Sequence, residues 1–98
     1  MPTQKEYRER VYIRAEIIIK LVEYGPLTLT NLVSYCGLNL SKHKEILDEM
    51  EAKGLLVKFF ERQGKKVIAK YKVTDKGMRF YELILKPYIE MFPFRGGQ

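Results

Sequence analysis

Along this chain the apolar residues change period at Gly54, and that change limits the possible folds more than any other feature. Before Gly54 they recur at helical spacing: His43, Ile46, Leu47 and Met50 stand at i, i+3, i+4 and i+7, one stripe of a helix. After Gly54 they alternate. Leu55, Val57 and Phe59 fall on one phase, then Ala69, Tyr71 and Val73, with Lys70 and Lys72 between them. Two strands follow, with Arg62-Gln63-Gly64-Lys65-Lys66 as the hairpin tip and Gly64 as its positive-φ residue. Thr74 then reads as the N-cap of a last helix.

The segments before the hairpin carry their own punctuation. Thr3 and Glu6 have capping-box spacing, so a first helix can start there. Tyr7, Val11, Ala15, Ile18 and Val22 give it helical spacing, and Gly25-Pro26 ends it. Its other sides are also apolar, so it is either sandwiched within the domain or meets another copy. Leu27-Thr28-Leu29 reads as a short extended piece, with Thr30 capping a second helix from Asn31 to Cys36. Gly37 takes the left-handed position at its end. Asn39 or Ser41 caps a third helix that reaches about Lys53. Pro87 is expected to kink or break the last helix, whose stripe is Tyr81, Ile84, Leu85, Tyr88 and Phe92. The expected order is helix, strand, helix, helix, strand, strand, helix: an α+β chain, mainly α. Residues 1–92 read as one domain with terminal helices for dimerisation, and 93–98 as a flexible tail.

Ninety-eight residues suffice for one domain with one modest core. The single cysteine, Cys36, excludes an internal disulfide and a multi-cysteine metal site, and its spacing places it in the core. No apolar run approaches a membrane span, and residues 1–6 do not resemble a signal peptide, so a soluble, cytoplasmic chain is expected. The net charge of +6 is unevenly placed. Residues 1–50 hold seven basic and seven acidic side chains, whereas 51–98 hold eleven and five. Within residues 58–72 six cations face one acid, Glu61. Such a field suits a polyanion, nucleic acid above all, although a charged strand face also guards against aggregation.

Residues 27–54, from Leu-Thr-Leu-Thr through Val33, Gly37, His43 and Ile46 to Lys53-Gly54, resemble the helix-turn-helix of archaeal and bacterial winged-helix transcription regulators. Lys53-Gly54-Leu55-Leu56 resembles that family's exit into the wing, and residues 71–77 its return strand and capped final helix. The likeness runs over residues 7–86. Two positions depart from it: Val33 is larger than the usual alanine, and His43 replaces valine or isoleucine. His43 reads as a half-buried, hydrogen-bonded residue, or as a pH-sensitive one.

The resemblance implies that the third helix enters the major groove of double-stranded DNA. Asn39, Ser41, Lys42, Lys44 and Glu45 would then face base edges, with Leu40 among them. It implies a wing of Arg62, Lys65 and Lys66 on phosphate or in the minor groove, joined by Lys70 and Lys72. Tyr7, Arg8, Arg10 and Arg14 could add backbone contacts, against which Glu6, Glu9 and Glu16 count. Asp48, Glu49 and Glu51 form an acidic end that should point away from phosphate.

Winged-helix regulators commonly dimerise, with recognition helices about 34 Å apart. The terminal helices are apolar in excess, so a two-fold homodimer through Ile13, Ile17, Tyr81, Ile84, Leu85, Tyr88 and Phe92 is expected. Five Asn and Gln in all, with many Ile, Lys and Glu, lean towards a thermophilic source. No catalytic grouping, phosphate loop, metal cluster, cofactor motif or small-molecule site stands out, so the chain does not read as an enzyme. The leading expectation is a dimeric, nucleoid-associated DNA-binding regulator. Non-specific DNA packaging, or a winged helix used for protein–protein contact, are the alternatives.

Overall fold

A computed structural model describes residues 9–94. It contains α1 (Arg10–Tyr24), α2 (Leu29–Cys36), α3 (Leu40–Ala52), β1 (Leu56–Gln63), β2 (Lys66–Val73), α4 (Asp75–Phe80), a π-helical turn (Tyr81–Leu85) and α5 (Lys86–Met91). This is the winged helix-turn-helix arrangement. The short extended piece is reduced to a single bridge between Leu27 and Tyr71, with N–H···O bonds of 3.2 and 2.8 Å.

Helix α1 opens at Arg10, because Glu9 is extended. The expected start at Thr3 and Glu6 lies outside the described residues. Its apolar excess is explained within the domain: Ile13, Ala15, Ile17, Ile18 and Leu21 are all buried. They pack with Leu32, Ile46, Leu47, Met50, Leu56, Tyr71 and Leu85 in one core, with Cys36 at its edge. Ile13, Ile17 and Leu85 therefore cannot be dimer contacts, since the core of their own chain already covers them.

Thr28, not Thr30, caps α2. Its hydroxyl accepts from the Asn31 N–H at 3.2 Å, so the helix begins two residues earlier than expected. At the other end Gly37 takes φ +65°, and the next N–H, of Leu38, returns to the Val33 carbonyl at 3.0 Å. That left-handed turn reverses the chain into α3.

The hairpin pairs Leu56 with Val73 through to Gln63 with Lys66, and Gly64 turns the tip at φ +63°. Only its base is anchored. Leu56 and Tyr71 are buried, whereas residues 60–67 are exposed throughout. Thr74 joins the wing to the last helix. Its hydroxyl donates to the Gly54 carbonyl at 2.6 Å, lies 3.1 Å from the Leu55 carbonyl, and accepts from the Gly77 N–H at 3.0 Å. Gly77 is required by close approach: a Cβ there would stand 2.2 Å from the Leu55 carbonyl oxygen.

Pro87 does not break the last helix. The helical run continues through it because the turn before it widens, with the Lys86 N–H reaching back to Tyr81. Proline has no N–H to contribute, and its ring needs room beside the preceding turn, which a π-helical turn supplies. The C-terminal segment also meets α1 past residue 92. Tyr12 donates to the Phe92 carbonyl, and the Phe94 ring lies 5.0 Å from that of Tyr12. Of the tail expected from residue 93, Phe94 touches α1, and residues 95–98 lie outside the described residues. Among the described residues no helix is long and apolar enough to cross a membrane.

Candidate nucleic-acid interface

Helix α3 is positioned by its apolar stripe. Ile46, Leu47 and Met50 are buried, so the opposite side, from Leu40 to Glu45, faces outwards. Its start is a reciprocal cap. Asn39 Oδ1 accepts from the Ser41 and Lys42 N–H groups at 3.0 and 3.3 Å, and from the Ser41 hydroxyl at 2.7 Å. The Asn39 N–H in turn donates to His43 Nδ1 at 2.8 Å. This uses the lone pair of Nδ1, so the histidine of the unusual position serves as the second arm of the cap. A polar side chain one turn after an N-cap was the available signal for it.

These contacts change the standing of the expected base-reading residues. The side chains of Asn39 and Ser41 are engaged with each other and with the helix end. Lys44 is bound to Asp48 at 2.8 Å, and that carboxylate holds its ammonium pKa above the ordinary value. Glu45 lies 3.5 Å from Arg10 of α1. Among the described residues, Lys42 alone of the five is exposed with a side chain joined to none of these contacts.

The acidic end of α3 is tied down. Arg14 meets Glu49 at 2.7 Å, and this guanidinium holds the Glu49 carboxyl below the usual range. Arg10 and Arg14 therefore tie α1 to α3. Their partners lie 35 residues away, where no local pattern could announce them. Beside the Arg14–Glu49 pair, Met50, Leu55, Lys76 and Phe80 help to line an open groove of about 570 Å³.

The wing distributes its cations over two faces. Lys58 and Arg62 alternate with Phe60 on the face that begins at buried Leu56, and the Lys58 ammonium lies 5.6 Å from the centroid of Tyr71. Lys66, Lys70 and Lys72 share the other face with Glu61. There Lys70 binds Glu61 at 2.7 Å and Lys72 lies 5.9 Å from the Phe59 centroid. Arg62, Lys65 and Lys66 are exposed and enter no ion pair among the described residues. The structure thus brings the five wing residues onto one hairpin but leaves only its tip with unengaged charge. No group of three or more His, Cys, Asp and Glu among the described residues is arranged to hold a metal.

No family model matches this sequence, and no curated protein matches it. Solved structures do match its fold. The PcaV transcriptional regulator from Streptomyces coelicolor superposes with a TM-score of 0.71 at 21% identity, over 91% of this chain and 64% of that one. Overoxidized AbfR bound to DNA gives 0.61 at 21% identity, over 84% and 60%. RV1404 from Mycobacterium tuberculosis gives 0.59 at 14% identity, over 89% and 59%. The chain spans about three fifths of the length of these proteins. At such identities the likeness establishes the winged-helix fold.

Proposed function

We propose that this chain binds double-stranded DNA as a transcriptional regulator, with no catalytic step. The observation that carries this reading is the unengaged cationic tip, Arg62, Lys65 and Lys66, on a winged-helix frame. Cations without local partners displace counterions from a phosphate backbone, which is the main source of affinity for DNA. On this reading the wing lies on phosphate or in the minor groove, and the exposed side of α3 enters the major groove with Lys42 foremost. One solved protein of this fold, AbfR, is bound to DNA.

A dimer is part of the reading, on a narrower surface than the apolar residues alone suggest. Ile84, Tyr88 and Phe92 are exposed on the last helix, and Leu83 and Met91 beside them are more than 70% exposed. Tyr81 is half-buried at the edge of this stripe. A second copy laid against it would cover an apolar surface that water otherwise meets. Sedimentation at tens of micromolar tests this: a dimer is expected, and an Ile84→Lys monomer. A wild-type monomer would remove the claim.

Non-specific packaging is the second reading, and one observation favours it. Four of the five expected base-reading side chains are engaged within the protein. Selection from a random pool of duplex DNA at two salt concentrations separates the two. Salt-sensitive retention with an enriched palindrome supports a dimeric regulator. Retention without enrichment supports packaging. No retention at low salt overturns both and leaves protein–protein contact.

A further inference from the structure

The wing carries more than charge. Phe60 and Val67 are 69% and 63% exposed, unusually high for such side chains on a strand pair. The register places them on one face: Phe60 stands opposite Ala69, and Val67 opposite Arg62, so the two are diagonal neighbours. Alternation puts Leu56, Lys58, Phe60 and Arg62 together on β1, with Val73, Tyr71, Ala69 and Val67 across from them. At the base this face is core. Towards the tip it leaves the body of the protein, and its apolar residues meet water between Lys58 and Arg62.

Acid is kept off that face. The one carboxylate of the hairpin, Glu61, points to the other side and is bound there by Lys70. The face begins at the core, where the Lys58 ammonium lies over the buried Tyr71 ring. Lys58, Phe60, Val67 and Arg62 thus follow one another from the base of the hairpin to its tip.

We infer that Phe60, supported by Val67, is an apolar wedge that enters the minor groove and partly unstacks a base step, bending the duplex that the protein binds. The inference rests on the DNA-binding reading and specifies its partner: duplex with a deformable step, pyrimidine–purine in type. Cations flanking an apolar tip suit a minor groove, where phosphates line the rims and the flat bases lie between them. Side chains such as phenylalanine act there by opening the stack. A second copy of the hairpin is a poor occupant of the same face, since residues 58–72 carry +5 in each chain and would repel.

The test uses the full chain and two duplexes of about thirty base pairs, one fully paired and one with a central mismatched step, each carrying a fluorescent donor and acceptor at its ends. Binding should draw the ends together, with a bend in the range of about 20–90°. The mismatched duplex, whose step is already unstacked, should bind about ten-fold tighter. Phe60→Ala should abolish both the bend and the preference while leaving the salt dependence intact, and Phe60→Leu should keep most of each. A Val67→Ser variant gives a second, weaker version of the same loss. If wild type binds without bending, or if Phe60→Ala bends DNA as wild type does, the wedge is wrong and DNA binding stands. If wild type binds neither duplex at low salt, the DNA-binding reading itself has failed. Phe60-dependent binding to anionic phospholipid vesicles with none to duplex would overturn the wedge in favour of a membrane surface.

Discussion

Helix α3 and the hairpin are both rich in ionisable side chains, and they use them in opposite ways. On α3 the charges are engaged: Lys44 with Asp48, Glu45 with Arg10, Glu49 with Arg14. Its N-terminal polar residues close the helix end. On the hairpin the one ion pair among the described residues joins Lys70 to Glu61, and residues 60–67 at the tip are exposed throughout. The helix is thereby an oriented element with few groups left to read a base. The wing is a charged arm whose side chains stay available. A surface ion pair contributes little to stability, but several of them fix the angle at which a helix is presented. On the proposed DNA-binding reading, affinity should therefore come mainly from the wing, and orientation from the helix.

The largest expected effect lies where the two regions join. Gly77→Ala drives a methyl group against the Leu55 carbonyl, and neither backbone can yield without moving the Thr74 junction. A loss of about 3 kcal/mol in denaturant unfolding is expected. A loss under about 0.5 kcal/mol would show that the wing is hinged and not braced.

Next comes the charge of the arm. Lys65→Ala with Lys66→Ala should weaken binding to every duplex alike and reduce the slope of log K against log salt by about two. A change in sequence preference instead would move base reading to the wing. The corresponding helix variant, Lys42→Ala, should alter preference among sequences by about 1 kcal/mol or more at one position. If it acts like the wing pair, the contrast between helix and arm collapses.

The cap is a smaller lever. Asn39→Ala removes the acceptor for two N–H groups and should lower stability by about 1 kcal/mol, read by thermal melting. Smallest is the Arg14–Glu49 bolt. Arg14 depresses the folded-state Glu49 pKa below its ordinary value of 4.5. The stabilisation is therefore present above that value and is lost as pH falls through the lower, folded one. The melting difference between wild type and Arg14→Met should shrink as pH is lowered from 6 towards 3. A constant difference would mean that Arg14 acts through packing alone.

Much of the frame was legible locally. Gly37 and Gly64 turn the chain at positive φ, Asn39 and Thr74 cap helices, and the alternation from Leu55 to Val73 is a hairpin. Each depends on a few adjacent residues, so sequence spacing carries it. The cap of α2 was misplaced because Thr28 and Thr30 are chemically equal candidates. What separates them is the tertiary bridge that holds Leu27 on Tyr71. On β1 the expected phase of Leu55, Val57 and Phe59 is not the one turned to the core: Leu56 is buried, Val57 is exposed, and Phe60 lies on the Leu56 face. Its exposure depends on how far the hairpin outruns the body it packs on.

The sequence by itself therefore determined the order of elements, the turn residues, the cysteine in the core and the concentration of positive charge in residues 58–72. Tertiary structure alone decided which apolar residues stay exposed and which cations stay without an ion-pair partner among the described residues. Ile13, Ile17 and Leu85 vanish into the core, while Ile84 and Leu83 do not. Arg10 and Arg14 are bound to a helix 35 residues away, while Lys65 and Lys66 are bound to nothing described. The physical reason is range. Caps, turns and periodicity are interactions of neighbours in the chain, whereas burial and ion pairing are shared among segments that meet only once the chain has folded.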